Sequence, residues 1–324
     1  MGKTRSCMMA AAAFMAMGAS AQGVGQYNNY NAEEHPHGAV FPVVAAPDIP
    51  QSVVFAGDTV SFDRTDMYER LDRELTSIVY GHSTTQLCLK RANRYFPILA
   101  PILKENGVPL DMLYLAVTES TLDPTIKSPA AAVGLWQFLA STGRMYGLEI
   151  NDDVDERCDP VKATVAACKF LKSVHAHYGN WATACASYNA GMGRINGELS
   201  RQGQDTSFDL QLVSETSRYV FRIIAYKLLM ENPKRYGYCL RADQLYQPVD
   251  YKVVEVKTSV ASWIDWAKQQ GITYAQLREA NPWIRSNRLP NASGKTYKVN
   301  VPVGDSLYLS KKQAKAYDPD WVVK

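Results

Sequence analysis

The chain has 324 residues, 46% hydrophobic and 21% charged, an ordinary composition for a globular protein. Formal charge is +3, from 35 basic and 32 acidic side chains with no basic block, which argues against a dedicated nucleic-acid binder. A chain of this length buries roughly 75% of its unfolded surface, so it needs no metal or disulfide framework to fold.

Lys3 and Arg5 precede an apolar run from Met8 to about Met17, and Ala19-Ser20-Ala21 places small residues before Gln22. That is the pattern of a cleavable signal peptide over residues 1–21. The run is too short for a membrane-spanning helix, which takes ~20 apolar residues. No cysteine follows it where a lipid anchor would attach. Cleavage lowers the formal charge from +3 to +1, since Lys3 and Arg5 are the only charged residues removed. The mature chain is expected to be exported to the periplasm or cell envelope, soluble, with no transmembrane segment.

Residues 22–65 are rich in Asn, Gly, Pro and Ala without a sustained apolar period, and predict a flexible N-terminal arm. From Asp66 the pattern turns helical. Met67, Leu71, Leu75, Ile78 and Val79 repeat at three and four residues, the stripe of an amphipathic helix. Helices are predicted near Thr85–Glu105, Pro109–Ser120, Leu135–Tyr146, Pro160–Tyr178, Trp181–Ala190 and Glu215–Glu231. Pro97 and Pro101 interrupt the first of these. Asp159 before Pro160 is a start signal, and Gly107, Gly147, Gly179 and Gly237 are stop signals. The result is a mainly α domain over residues 66–240.

After Tyr246-Gln247-Pro248 the texture changes. Tyr251, Val253 and Val256 favour strand, Ser262–Gln270 and Tyr274–Glu279 favour helix, and Tyr297–Val301 reads as a second strand. A small α+β module is expected over 249–303, followed by a C-terminal tail, 304–324.

Five cysteines remain after cleavage: Cys88, Cys158, Cys168, Cys185 and Cys239. An odd number cannot pair completely, and small buried thiols are the expected state of most. There is no C-x-x-C pair, and His175 and His177, two apart on a helix, face different ways. No metal and no cofactor are expected.

The run that carries chemistry is Leu115-Ala116-Val117-Thr118-Glu119-Ser120, followed by Asp123-Pro124, Ser128 and Gly134-Leu135-Trp136-Gln137-Phe138. A glutamate ending an apolar helix meets a low dielectric, which disfavours its charged form and keeps a proton available near neutral pH. Locally, Glu119 is therefore either a candidate general acid or an exposed helix-end residue.

Four blocks in this span resemble the catalytic domain of lytic transglycosylases, in the same order. They are Glu119-Ser120-x-x-Asp123-Pro124; Ser128 with Gly134-Leu135-Trp136-Gln137-Phe138, Thr142 and Tyr146-Gly147-Leu148; Ser187-Tyr188-Asn189-Ala190-Gly191-x-Gly193-Arg194; and Glu215-Thr216-x-x-Tyr219-Val220. Asp155-x-Arg157-x-Asp159-Pro160 matches the connecting segment. The resemblance is nearest to the membrane-bound lytic murein transglycosylase D group. Ala131 departs from it, standing where the family usually has Gly. The resemblance implies a goose-type-lysozyme-like fold and cleavage of the β-1,4 bond between N-acetylmuramic acid and N-acetylglucosamine of peptidoglycan, ending in a 1,6-anhydro ring. It makes Glu119 the acid and then the base. Ser128, Gln137, Tyr188, Asn189 and Tyr219 would contact the glycan or orient the acid, whereas Asp123 reads as a turn or cap residue and Trp136 as core. A hydrolase on the same fold and a non-catalytic wall-binding scaffold are the alternatives.

The small module resembles a LysM glycan-binding unit at Tyr251, Val253, Gly271, Leu277, Asn281-Pro282, Gly294, Tyr297 and Pro302. Lys257-Thr258-Ser259 replaces its usual Gly-Asp-Thr start. Peptidoglycan glycan strands are the implied partner; no protein partner is indicated.

Overall fold

The structure, a computed structural model, describes residues 45–323. The expected signal peptide and residues 22–44 of the expected arm lie outside the described residues.

The described end of that arm is built into the fold. β1 (Ser52–Phe55) and β2 (Asp58–Ser61) form an antiparallel hairpin with Val53 opposite Val60. Ala56 and Gly57 turn it with positive φ angles of 53° and 98°, the backbone that matches the twist of a two-residue hairpin loop. Alternation sends Val53, Phe55 and Val60, with Phe62 just beyond, into the main core. Four-residue strands carry too short a pattern to stand out in sequence, and a distant residue holds the turn, the Ala56 N–H donating to Asp111 at 2.6 Å.

Eight helices follow: α1 (Thr65–Tyr80), α2 (His82–Glu105), α3 (Met112–Ser120), α4 (Ala140–Met145), α5 (Pro160–Tyr178), α6 (Trp181–Ala190), α7 (Met192–Gln202) and α8 (Ser214–Glu231). The expected stripe of α1 is buried, and α1 packs along α8. Glu74 of α1 is buried and ion-paired to Arg218 at 2.6 Å and Arg222 at 3.1 Å, both on α8. α3 is apolar nearly all round, with Leu113 to Val117 buried, as suits a helix through the centre of a core. The Asp159 carboxylate accepts the Val161 and Lys162 N–H groups at 2.9 and 3.0 Å, and Gly179 ends α5 at φ 65°. α2 runs through Pro97 and Pro101 unbroken, with both prolines on its exposed side.

The expected interruption at Pro97 and Pro101 is thus absent, and two further helix expectations differ. Leu135–Tyr146 is helical only from Ala140, because Gly134 and Gln137 take left-handed φ angles of 85° and 47°. α7 was not expected: its Gly193 and Gly197 weaken the helical pattern.

The module follows the expected order, with β3 (Tyr251–Val256), α9 (Trp263–Gln269), α10 (Tyr274–Ala280) and β4 (Tyr297–Pro302), the strands pairing antiparallel. Trp263, Trp283, Leu277 and Val299 fill its core, which also takes in Val154 from the helical domain. The expected tail returns to that domain, where Tyr317 and Trp321 pack edge-on to Phe96 with ring centroids 5.7 and 5.8 Å away. Cys88, Cys158, Cys168 and Cys185 are buried thiols and Cys239 is an exposed one. Among the described residues, no helix is long and apolar enough to cross a membrane.

Candidate active site

The site forms where α3 stops. Thr121 and Leu122 take left-handed φ angles of 51° and 57°, ending the helix immediately after Glu119-Ser120. Ser120 Oγ lies 3.0 Å from the carbonyls of both Ala116 and Leu135 and accepts the Leu122 N–H at 3.1 Å. One hydroxyl thus ties the helix end to the following loop and fixes where Glu119 points.

Glu119 is half-buried and accepts a short hydrogen bond from the Tyr219 hydroxyl of α8. Burial raises the Glu119 carboxyl to about 7; the Tyr219 bond opposes this, the Glu215 charge adds to it, and Arg222 opposes it. Tyr188 of α6 stands beside them. Its hydroxyl donates to the Trp136 carbonyl at 2.6 Å, and burial followed by the Glu119 charge lifts its phenol well above the usual range. Its ring packs on Phe170 at 4.9 Å and Phe138 at 6.2 Å. Glu119, Tyr188 and Tyr219 are therefore brought together from three helices.

The remaining expected residues frame this cluster through the protein itself. Gln137 Nε2 donates to the carbonyls of Gly134 at 2.9 Å and Ile126 at 3.2 Å. Ser128 Oγ accepts the Ala132 N–H at 3.1 Å. Asn189 Oδ1 accepts the Thr216 hydroxyl at 3.0 Å, joining the end of α6 to the start of α8. Ala131 occupies the left-handed region at φ 61°, which glycine would enter without strain. Asp123 is a turn residue: it accepts from the Thr125 N–H and hydroxyl and pairs with Arg91 at 3.1 Å. Trp136 is core, its Nε1–H donated to Thr164 at 2.9 Å.

The sequence placed Arg157 in the motif of the connecting segment but gave it no role. Its guanidinium is buried, pairs with Asp155 at 2.7 Å, and donates to the Ala131 and Phe138 carbonyls at 3.1 and 3.0 Å. The Asp-x-Arg spacing was the available signal, since a charge enters a core only with its partner. Gly134 rests on the Arg157 carbonyl oxygen so closely that a Cβ there would sit 2.0 Å from it.

A carboxyl poised near neutrality, held by one phenol and shielded by a second, can give up a proton and then take one back. Among the described residues no three His, Cys, Asp or Glu side chains gather as a metal site. A cavity of about 740 Å³ beside Asp58, Arg64 and Asp209 is separate from this cluster.

Residues 97–210, which contain Glu119, the 126–138 loop and both Tyr188 and Asn189, match the family model described as the transglycosylase SLT domain. The centre of the helical unit is thus similar to a transglycosylase SLT domain. Residues 252–305 match the soluble lytic transglycosylase C-terminal LysM-like domain. The chain is 30% identical over 259 residues to membrane-bound lytic murein transglycosylase D of Escherichia coli strain K12, covering 76% of this chain and 55% of that protein. It thus spans about half the length of that relative. It is also 35% identical over 121 residues to peptidoglycan transglycosylase gp16 of Escherichia phage T7, covering 36% of this chain and 9% of that protein. Among solved structures, the 70 kDa soluble lytic transglycosylase SLT70 of Escherichia coli aligns at TM-score 0.37 and 25% identity, over 42% of this chain and 24% of that one. Tyr219 lies beyond the matched SLT segment, and the fold returns it to Glu119.

Proposed function

We propose that the chain is an exported peptidoglycan lytic transglycosylase that cleaves the β-1,4 bond between N-acetylmuramic acid and N-acetylglucosamine. The observation that carries this reading is Glu119, raised to about 7 and bonded to Tyr219, inside an SLT domain. Glu119 donates its proton to the glycosidic oxygen as the bond to the anomeric carbon breaks. The resulting carboxylate takes the proton of the muramic 6-hydroxyl, whose oxygen closes on the anomeric carbon as a 1,6-anhydro ring. Glu119 ends protonated and no water is consumed.

The carboxylates nearby support an internal nucleophile. Glycosidases that use water or a covalent intermediate place a second carboxylate across the bond. Here Asp123 is engaged by Arg91 and Thr125, and Glu215 pairs with Arg222 at 3.3 Å. Tyr219 orients the acid, and the Tyr188 ring lines the sugar path. Asn189 is engaged through its Oδ1, which leaves its amide N–H groups to an acetamido carbonyl. Ser128 and Gln137 hold the loop that shapes the path. The LysM-like module binds the same strands, and the signal sequence delivers the enzyme to the periplasm.

A digest of purified sacculi followed by mass spectrometry tests the reading. Anhydromuropeptides, one water lighter than hydrolytic fragments, are expected. Reducing ends alone identify a muramidase hydrolase, and bound but uncut sacculi identify a wall-binding scaffold.

A further inference from the structure

The LysM-like module and the SLT domain share one segment. Val154 is buried in the module's core, the Asp155 N–H donates to the Trp283 carbonyl at 2.8 Å, and the Arg285 N–H donates to the Asp153 carbonyl at 2.9 Å. Side chains reinforce this: Ser286 donates to Asp153, Lys295 pairs with Glu149 and Glu156, and the Tyr297 hydroxyl donates to Glu149.

The same segment continues into the active-site loop. Asp155 holds Arg157 by two bonds, at 2.9 and 2.7 Å. Arg157 in turn grips the carbonyls of Ala131 and Phe138, the two ends of the loop that carries Gln137. Between those ends, the Leu135 carbonyl faces Ser120 Oγ and the Trp136 carbonyl accepts the Tyr188 hydroxyl. Ser120 is the residue after Glu119. An unbroken series of bonds therefore runs from the module's core to both flanks of the carboxyl group.

We infer that the LysM-like module is a brace for the active site, acting through the positioning residues Asp155 and Arg157 to hold the 131–138 loop closed around Glu119. A buried guanidinium with four bonds has one low-energy placement, and the loop it grips carries a left-handed non-glycine residue near each end, Ala131 and Gln137, a strained backbone that its own bonds and those of Arg157 hold together. Docking of the module fixes that placement. The inference rests on the enzymatic reading of the site and adds to it a role for the module in turnover as well as in binding.

The groups facing Glu119 set what loosening does to it: Tyr219, Glu215 and Arg222 from α8, and Tyr188 from α6. None of them lies in the module. Undocking it therefore acts on Glu119 by admitting water, which lowers the carboxyl's proton affinity.

The test is the chain from Gln22 onward carrying Ser286→Ala, Lys295→Ala and Tyr297→Phe together, compared with wild type on sacculi. Expected are a kcat reduced roughly tenfold, a KM within about twofold of wild type, and a basic limb of the pH profile moved to lower pH. The Glu119 midpoint from carboxyl carbon-13 titration moves the same way. A raised KM with kcat and midpoint unchanged makes the module a glycan anchor only and overturns the brace. Arg157→Lys keeps the ion pair with Asp155 but not the two-carbonyl grip; it is expected to reproduce the kcat loss and the shift, and it decides the question if the triple variant does not fold. Wild type without anhydro products refutes the enzymatic reading, while the titration still decides the brace.

Discussion

The Tyr219 hydroxyl donates to the Glu119 carboxylate across 100 positions of sequence. This bond is the main force holding down a carboxyl that burial pushes up, so the two effects together leave Glu119 at about 7. In the proposed reaction, Glu119 without the phenol would hold its proton too tightly to pass it readily to the glycosidic oxygen. Without the burial it would have none to give at neutral pH.

Glu119→Gln keeps the shape of the side chain and an oxygen for Tyr219 to donate to, but has no proton to transfer. Anhydromuropeptide release is expected to fall at least a hundredfold, measured by mass spectrometry of sacculus digests, with sacculus binding retained. Activity at the wild-type level refutes the assignment.

The same substitution tests stability. Glu119 is raised from 4.5 unfolded to about 7 folded, so the stability linked to its proton is complete below about 4.5 and lost as pH rises through about 7. Glu119→Gln has no such loss, and at pH above 8 it is expected to be more stable than wild type by about 3 kcal/mol. At pH 4 the difference closes. Urea unfolding midpoints across this range check the sign.

Tyr219→Phe removes the bond that lowers the Glu119 proton affinity. The basic limb of the kcat/KM profile is expected to move to higher pH, opposite to the shift from undocking the module, and kcat to fall roughly tenfold as the acid loses its orientation. A profile superimposable on wild type rejects the role.

Gly134→Ala places a Cβ 2.0 Å from the Arg157 carbonyl oxygen at a φ of +85°. Backbone strain and the clash add, and a loss of about 3 kcal/mol or more is expected in denaturant unfolding. An unchanged midpoint shows that the loop can move away, and with it that Arg157 does not pin the loop.

Glu74→Ala leaves Arg218 and Arg222 of α8 without their buried partner. A loss of about 3 kcal/mol is expected, read from the unfolding midpoint. Because Arg222 also faces Glu119, a shift of the pH profile is expected with it.

Elements with their own start and stop residues were legible from sequence. α5 begins at Pro160 behind the Asp159 cap and ends at Gly179, and α1 shows its buried stripe in its spacing. The strand–helix–helix–strand order of the module was equally plain. Legibility failed where distant partners decide the backbone. Residues 135–138 read as the start of a helix, but Arg157 holds the Phe138 carbonyl and Gly134 and Gln137 turn left-handed. The 52–61 hairpin looked like part of an arm because its strands are four residues long and its turn is held by Asp111, 55 positions away.

The sequence by itself determined the helical content, the order of the motif blocks and the identity of Glu119 as the candidate acid. These depend on residue type, spacing and neighbours within a turn or two. Only the tertiary structure decided what surrounds that carboxyl: how far it is buried, which arginine holds its loop, and that the module's core is completed by Val154. Proton affinity and loop placement are set by desolvation and by bonds between residues far apart in the chain, and neither has a local signature in sequence.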